Sequence, residues 1–166
     1  MHSRLNLVLV GFMGSGKSTV GRGVATELQL RFVDMDRVVE EREGLAISEI
    51  FNLFGEPAFR QIESEVAEEL SREEGLVLAT GGGVVLRPSN LDHLARHGIL
   101  IHLRVSLEGA LARTHGHSHR PLLRGEDAAG RARRLFLERQ PLYEASLRQV
   151  DTSDRSTMAV VTAVAR

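Results

Sequence analysis

The chain has 166 residues, 42% hydrophobic and 26% charged, with a formal net charge of −1 at pH 7 and no cysteine. That length suits one domain with a substantial core, and a charge near zero excludes a general nucleic-acid binder, which needs a basic field. Without cysteine there are no disulfides and no thiolate metal sites, and no apolar run is long enough to cross a bilayer. The few polar residues ahead of the first apolar run carry no signal-peptide pattern, so the expectation is a cytoplasmic protein without membrane or nucleic-acid partners.

The first predicted element is a buried parallel strand over Leu5-Asn6-Leu7-Val8-Leu9-Val10. It runs into Gly11-Phe12-Met13-Gly14-Ser15-Gly16-Lys17-Ser18-Thr19, which fits G-x-x-x-x-G-K-[ST], the phosphate-cradling loop of nucleotide-binding proteins. Lys17 is the only lysine among 21 basic residues. A compact ammonium fits between phosphate oxygens where a planar guanidinium fork would not. Val20, Val24 and Leu28 then recur at helical spacing. The order strand, glycine loop, helix aims backbone N–H groups and a positive dipole end at phosphates. Ser18 is placed to ligate Mg²⁺.

Arg31-Phe32-Val33 reads as a second strand, ending at Asp34-Met35-Asp36. The two carboxylates are expected on a turn, one to hold Mg²⁺ directly or through water, the other to accept a hydrogen bond from an attacking hydroxyl. The plainer alternative is a helix N-cap followed by a first-turn acid. Ile47, Ile50, Phe51 and Phe54 mark a short amphipathic helix stopped by Gly55, and Phe59, Ile62, Val66 and Leu70 a longer one. Leu76–Ala79 is a third strand running into Thr80-Gly81-Gly82-Gly83, where bare backbone amides let a ligand approach.

A helix from about Pro88 to Gly98, a strand over Ile99–Leu103 and a helix from about Ser106 to Thr114 follow. The stretch from His115 to Asp127 is polar and aperiodic, the pattern of a functional loop or lid. Its alternating His115, His117 and His119 share a face of an extended segment, but no carboxylate or cysteine completes a metal site. A helix from about Ala128 to Ala145, a fifth strand near Arg148-Gln149-Val150 and a C-terminal helix complete the chain. Strands alternating with helices predict an α/β sheet built from right-handed crossovers. Ligands of such sheets bind at the carboxyl ends of the strands, so the phosphate loop, Asp34, Asp36 and Gly81–Gly83 should face one crevice.

Gly11–Thr19, Asp34-Met35-Asp36, Phe59-Arg60-x-x-Glu63, Gly81-Gly82-Gly83, Arg120-Pro121-Leu122 and Arg139-x-Pro141-Leu142-Tyr143 stand in an order and spacing that resembles the shikimate kinases over nearly the whole chain. The resemblance implies an α/β three-layer sandwich with a five-stranded parallel sheet, of the kind seen in P-loop nucleoside-monophosphate kinases. It also implies one domain over residues 1–166, with a helical substrate-binding segment at about 35–62 and a mobile lid at about 114–127. The implied reaction moves the γ-phosphoryl of ATP to the 3-hydroxyl of shikimate, on the route to chorismate and the aromatic amino acids, with one Mg²⁺.

The implied roles are these. Arg60 and Arg139 clamp the substrate carboxylate, and Glu63 holds Arg60; read without the family, Arg60 and Glu63 are an ordinary i,i+3 surface pair and Arg139 a solvated helix charge. Asp36 binds the ring hydroxyls as base or positioning group, and Gly81, Gly82 and Gly83 add backbone contacts. Lys17 and Arg120, the latter swinging in with the lid, neutralise phosphoryl charge. Gly14, Ser15, Gly16, Lys17, Ser18 and Thr19 hold the ATP phosphates, and Arg113 and Arg155 lie in the adenine region. Ser18 and Asp34 hold the metal, Asp34 through water. A monomer is the default for a plain domain of this size. Two other readings stay open, a P-loop kinase for another small acceptor such as gluconate, and a nucleotide-binding module without catalysis.

Overall fold

The computed structural model describes residues 5–114, 127–144, 146 and 148–166. Five strands form one parallel sheet: β1 (Asn6–Val10), β2 (Arg31–Asp34), β3 (Leu76–Ala79), β4 (Gly98–Arg104) and β5 (Arg148–Asp151), in the order β2-β3-β1-β4-β5. β1 lies at the centre, with Leu7 opposite Val77 of β3 and Ile99 of β4. The helices are α1 (Lys17–Leu28), α2 (Met35–Glu43), α3 (Ile47–Leu70), α4 (Pro88–Ala95), α5 (Leu107–Thr114), α6 (Ala128–Glu144) and α7 (Thr157–Ala165).

Alternation along the strands divides the core into two layers. Leu9, Val77, Ile101, Leu103 and Val150 point to the face covered by α1 and α7, where they meet Val20, Val24, Val160 and Val164. Val8, Val10, Leu76 and Leu78 point to the opposite face and meet Val39, Phe59, Val66, Leu94 and Tyr143. Strands buried on both faces must be apolar almost throughout, which is why their runs were readable from the sequence.

Three local features depart from the expected outline. Asp34 and Asp36 do not sit on a free turn: Asp34 caps α2 and Asp36 lies in its first turn. This helix buries only Met35 and Val39, too thin an apolar stripe to stand out among its charges. The chain leaves Gly81–Gly83 through a single 3₁₀ turn over Val84–Leu86, and α4 ends at Ala95 rather than near Gly98. The interruption at Gly55 is as expected: it adopts φ 82°, ψ 169° inside α3, open to glycine and closed to residues with a Cβ. The loop carrying Arg120 and His115, His117 and His119 lies outside the described residues.

Candidate active site

The phosphate loop leaves the carboxyl end of the central strand and closes on itself. Gly14 (φ 75°) and Gly16 (φ 91°) occupy the left-handed region, and a Cβ at Gly14 would stand 2.9 Å from the Ala110 carbonyl oxygen. Gly16 is the N-cap of α1 with no side-chain cap, so the first N–H groups of the helix open toward the crevice. Lys17 Nζ donates to the Gly11 carbonyl at 2.7 Å and the Phe12 carbonyl at 3.0 Å, with Ser15 Oγ at 3.5 Å. The loop's own oxygens thus hold the ammonium across its mouth.

Ser18 Oγ donates to Asp34 Oδ2 at 2.7 Å, while Asp34 Oδ1 accepts the Asp36 N–H at 3.1 Å. The two readings of Asp34 therefore hold together, since one oxygen caps α2 and the other faces the loop. Ser18 and Asp34 offer a hydroxyl and a carboxylate, the hard oxygen donors that Mg²⁺ takes in ones and twos while phosphates and water fill the rest. The pair fits that ion. Among the described residues no group of three or more His, Cys, Asp or Glu could hold a metal by itself.

A cleft of about 380 Å³ runs from this loop past the second strand, lined by Gly14, Lys17, Ser18, Asp34, Asp36 and Gly82, among others. Arg113 lines it too, and with Gly16 and Thr19 it continues into a neighbouring cleft of about 360 Å³ lined also by Thr152, Arg155 and Ser156. Arg113 is fixed there: it donates to the Gly14 carbonyl at 3.2 Å and to the Thr152 carbonyl at 2.8 Å. Arg155 lies close to the Asp151 and Ala159 carbonyls, 3.4 Å from each. Gly14 to Thr19, Arg113 and Arg155 thus line one continuous groove, in which Ser15, itself buried, borders the second cleft.

On the other side of Asp36 the structure gathers two buried arginines. Arg60 Nη1 donates to Glu63 Oε2 at 2.8 Å, and its Nη2 to Glu56 Oε1 at 3.0 Å. Arg60 is 7% exposed, Glu63 2% and Arg139 3%, so neither plain alternative holds: these are not surface charges. Glu63 Oε1 and Arg139 Nε have no hydrogen-bond partner among the described residues. Burial raises the Glu63 pKa, and the neighbouring charges of Arg60, Arg139 and Arg87 only partly offset it. For Arg60 burial acts to lower the pKa, but Glu63 and then Glu56 outweigh it and hold it raised.

Gly81 and Gly83 are needed for close approach rather than for backbone freedom, since neither has a positive φ. A Cβ at Gly81 would lie 2.7 Å from Glu63 Oε1 and 2.9 Å from Asp36 Oδ1, and one at Gly83 only 2.2 Å from Arg60 Nη1. At Gly82 the nearest atom would be 3.7 Å away. Sequence reasoning passed over Thr80, which lines the cleft and donates to the Leu9 carbonyl at 2.9 Å. It also passed over the contacts of Tyr143, whose Oη donates to the Gly82 carbonyl. The signals were its being the chain's single tyrosine and its place four residues after Arg139.

A model of the shikimate kinase family matches residues 13–166. The chain belongs to the shikimate kinase family. It is accordingly a kinase that phosphorylates shikimate. A shikimate kinase of Vibrio parahaemolyticus is 42% identical, the match covering 100% of this chain and 97% of that one. Among solved structures, shikimate kinase from Acinetobacter baumannii in complex with shikimate superposes with a TM-score of 0.93 at 37% identity, covering 97% of this chain and 90% of that one. A gluconokinase from Sinorhizobium meliloti, at 17% identity and TM-score 0.57 over 98% and 91% of the two chains, shares the fold alone.

Proposed function

We propose that this shikimate kinase transfers the γ-phosphoryl group of ATP to the 3-hydroxyl of shikimate, releasing ADP and shikimate 3-phosphate, in the making of chorismate and aromatic amino acids. The observation that carries this acceptor is the pair of buried guanidiniums, Arg60 and Arg139, beside Asp36 and the triple glycine. Guanidinium forks suit a planar carboxylate because they bond it bidentately. A neutral polyol would not repay two buried cations.

In this reading the acceptor carboxylate is held by Arg60 and Arg139 and its ring hydroxyls by Asp36, with Gly81, Gly82 and Gly83 supplying backbone contacts. Asp36 accepts the hydrogen bond of the attacking hydroxyl. The hydroxyl oxygen bonds to the γ-phosphorus and gives up its proton toward Asp36 as the bond to the β-phosphate oxygen breaks, and ADP carries the electron pair away. No covalent enzyme intermediate is needed; alignment and charge neutralisation supply the rate. Lys17 and the amides of Gly14 to Thr19 bind the phosphates, and Arg120 adds a second cation from the 114–127 segment. Arg113 and Arg155 flank the adenine. Ser18 would hold Mg²⁺, with Asp34 reaching it through water, and the ion when bound neutralises phosphate charge.

The chain acts in this reading as one domain, a monomer in the cytoplasm, with its substrate-binding segment at about 35–62. Among the described residues no helix is long and apolar enough to cross a membrane. ADP release from Mg-ATP, compared across shikimate, gluconate and no acceptor, tests the assignment. Stimulation by shikimate alone is expected; stimulation by gluconate would replace the acceptor, and release without acceptor would reduce the protein to an ATPase.

A further inference from the structure

Tyr143 is fully buried, and the reaction as described makes no use of its phenol. A phenylalanine would fill the same space, and a buried hydroxyl costs stability unless it is bonded. This one is bonded, since its Oη donates to the Gly82 carbonyl. The guanidinium charge of Arg139, one helical turn earlier on α6, acts on the same phenol. The ring is stacked on His102, with centroids 5.3 Å apart and planes at 28°. The same helix is tied to the phosphate loop through Phe136 and Phe12, whose rings meet edge-on at 5.1 Å.

The peptide group gives the Gly82 contact its consequence. Because the unit is planar and trans, fixing the Gly82 carbonyl fixes the Gly83 N–H, which points the opposite way. One hydroxyl therefore orients a backbone amide of the triple glycine, one helical turn along α6 from a guanidinium of the carboxylate clamp. We infer that Tyr143 is a positioning residue for the acceptor, fixing the Gly82–Gly83 peptide beside the Arg139 clamp through its hydroxyl. This rests on the reading that Arg139 binds the shikimate carboxylate.

The test compares Tyr143→Phe and Arg139→Ala with the parent, in the full chain, by KM for each substrate. Arg139→Ala is expected to raise the KM for shikimate strongly. Tyr143→Phe, which keeps the ring, should raise it roughly tenfold, as loss of one buried hydrogen bond does, and leave the KM for ATP within about twofold. A purely structural role would move both KM values together, or neither. Arg139→Ala with a parental KM for shikimate would fell the acceptor reading and leave Tyr143 nothing to position. Arg139→Ala impaired with Tyr143→Phe unaffected would overturn the inference alone.

A second readout serves if Tyr143→Phe does not fold. As the chain has one tyrosine and no tryptophan, 3-fluorotyrosine labels this position only. Its fluorine resonance should shift on saturation with shikimate and stay in place with ATP alone; a resonance unmoved by shikimate would overturn the inference.

Discussion

Arg60 and Glu63 lie one turn apart on α3, joined at 2.8 Å and both almost shut off from water. Burial penalises each charge, so the pair is a poor source of net stability but a rigid mount for a guanidinium fork. Removing one partner is another matter. Glu63→Ala leaves a buried cation with only the half-exposed Glu56, and should destabilise the fold by about 3 kcal/mol. Glu56→Ala should cost less than about 1 kcal/mol, as partly solvated pairs do. Urea unfolding of the two variants checks the contrast.

Lys17 is the chain's only lysine, and its bonds to the Gly11 and Phe12 carbonyls hold it at the loop mouth. Lys17→Arg keeps the charge but spreads it over a planar fork, and should lower kcat by about 100-fold or more with little change in Tm. Amine acylation gives a second view. Mg-ATP should protect Lys17 from modification and leave the N-terminal amine unprotected, as peptide mass mapping would show.

The triple glycine is predicted to be graded. Gly83→Ala drives a methyl into the Arg60 guanidinium, and Gly81→Ala into the Glu63 and Asp36 carboxylates. Both should raise the KM for shikimate by about tenfold or more, since small misplacements of positioning groups are expensive. Gly82→Ala meets nothing closer than 3.7 Å and should stay within about threefold of the parent. Steady-state kinetics of the three variants decides it.

His102 carries the main pH prediction. Burial first, then Arg104 and Lys17, pull its pKa down from 6.5 to about 4 against an opposing pull from Glu144. The unfolded chain then binds a proton that the folded one refuses, so stability is full above the unfolded pKa and lost as pH falls from 6.5 toward about 4. Between about pH 7.5 and about pH 5 the loss should be about 2 kcal/mol. His102→Asn should remove most of that slope, read as the change in urea midpoint between the two conditions.

The sheet was legible because strands covered on both faces have to be apolar, and Leu76–Ala79 or Val8–Val10 fit little else. The helix break at Gly55 was legible for its backbone freedom. The arginines of the clamp were named through the family resemblance, but their burial was not read from spacing, because charge was weighed ahead of position. Yet Arg60 and Glu63 stand on one stripe with Ala67 and Leu70 of α3, and Arg139 on one with Ala132, Phe136 and Tyr143 of α6. A charged residue on an apolar stripe must be paired or bind something. That spacing separates Arg139 from the exposed Arg133 and Arg134 on the same helix. Helix α2 entered the sequence reading only as the alternative for Asp34 and Asp36 and within the implied helical segment, as its polar sequence is held by the Asp34 cap and two buried side chains.

In the proposed reading the crevice recognises its acceptor through a carboxylate held by two guanidiniums. The direct measurement is kcat/KM for shikimate against its carboxamide, which keeps every hydroxyl and removes the charge. A loss of about 100-fold or more for the carboxamide is predicted, the scale of a charged, doubly clamped group. Equal use of the two would show that the carboxylate is not what the crevice recognises and would leave Arg60 and Arg139 without that role.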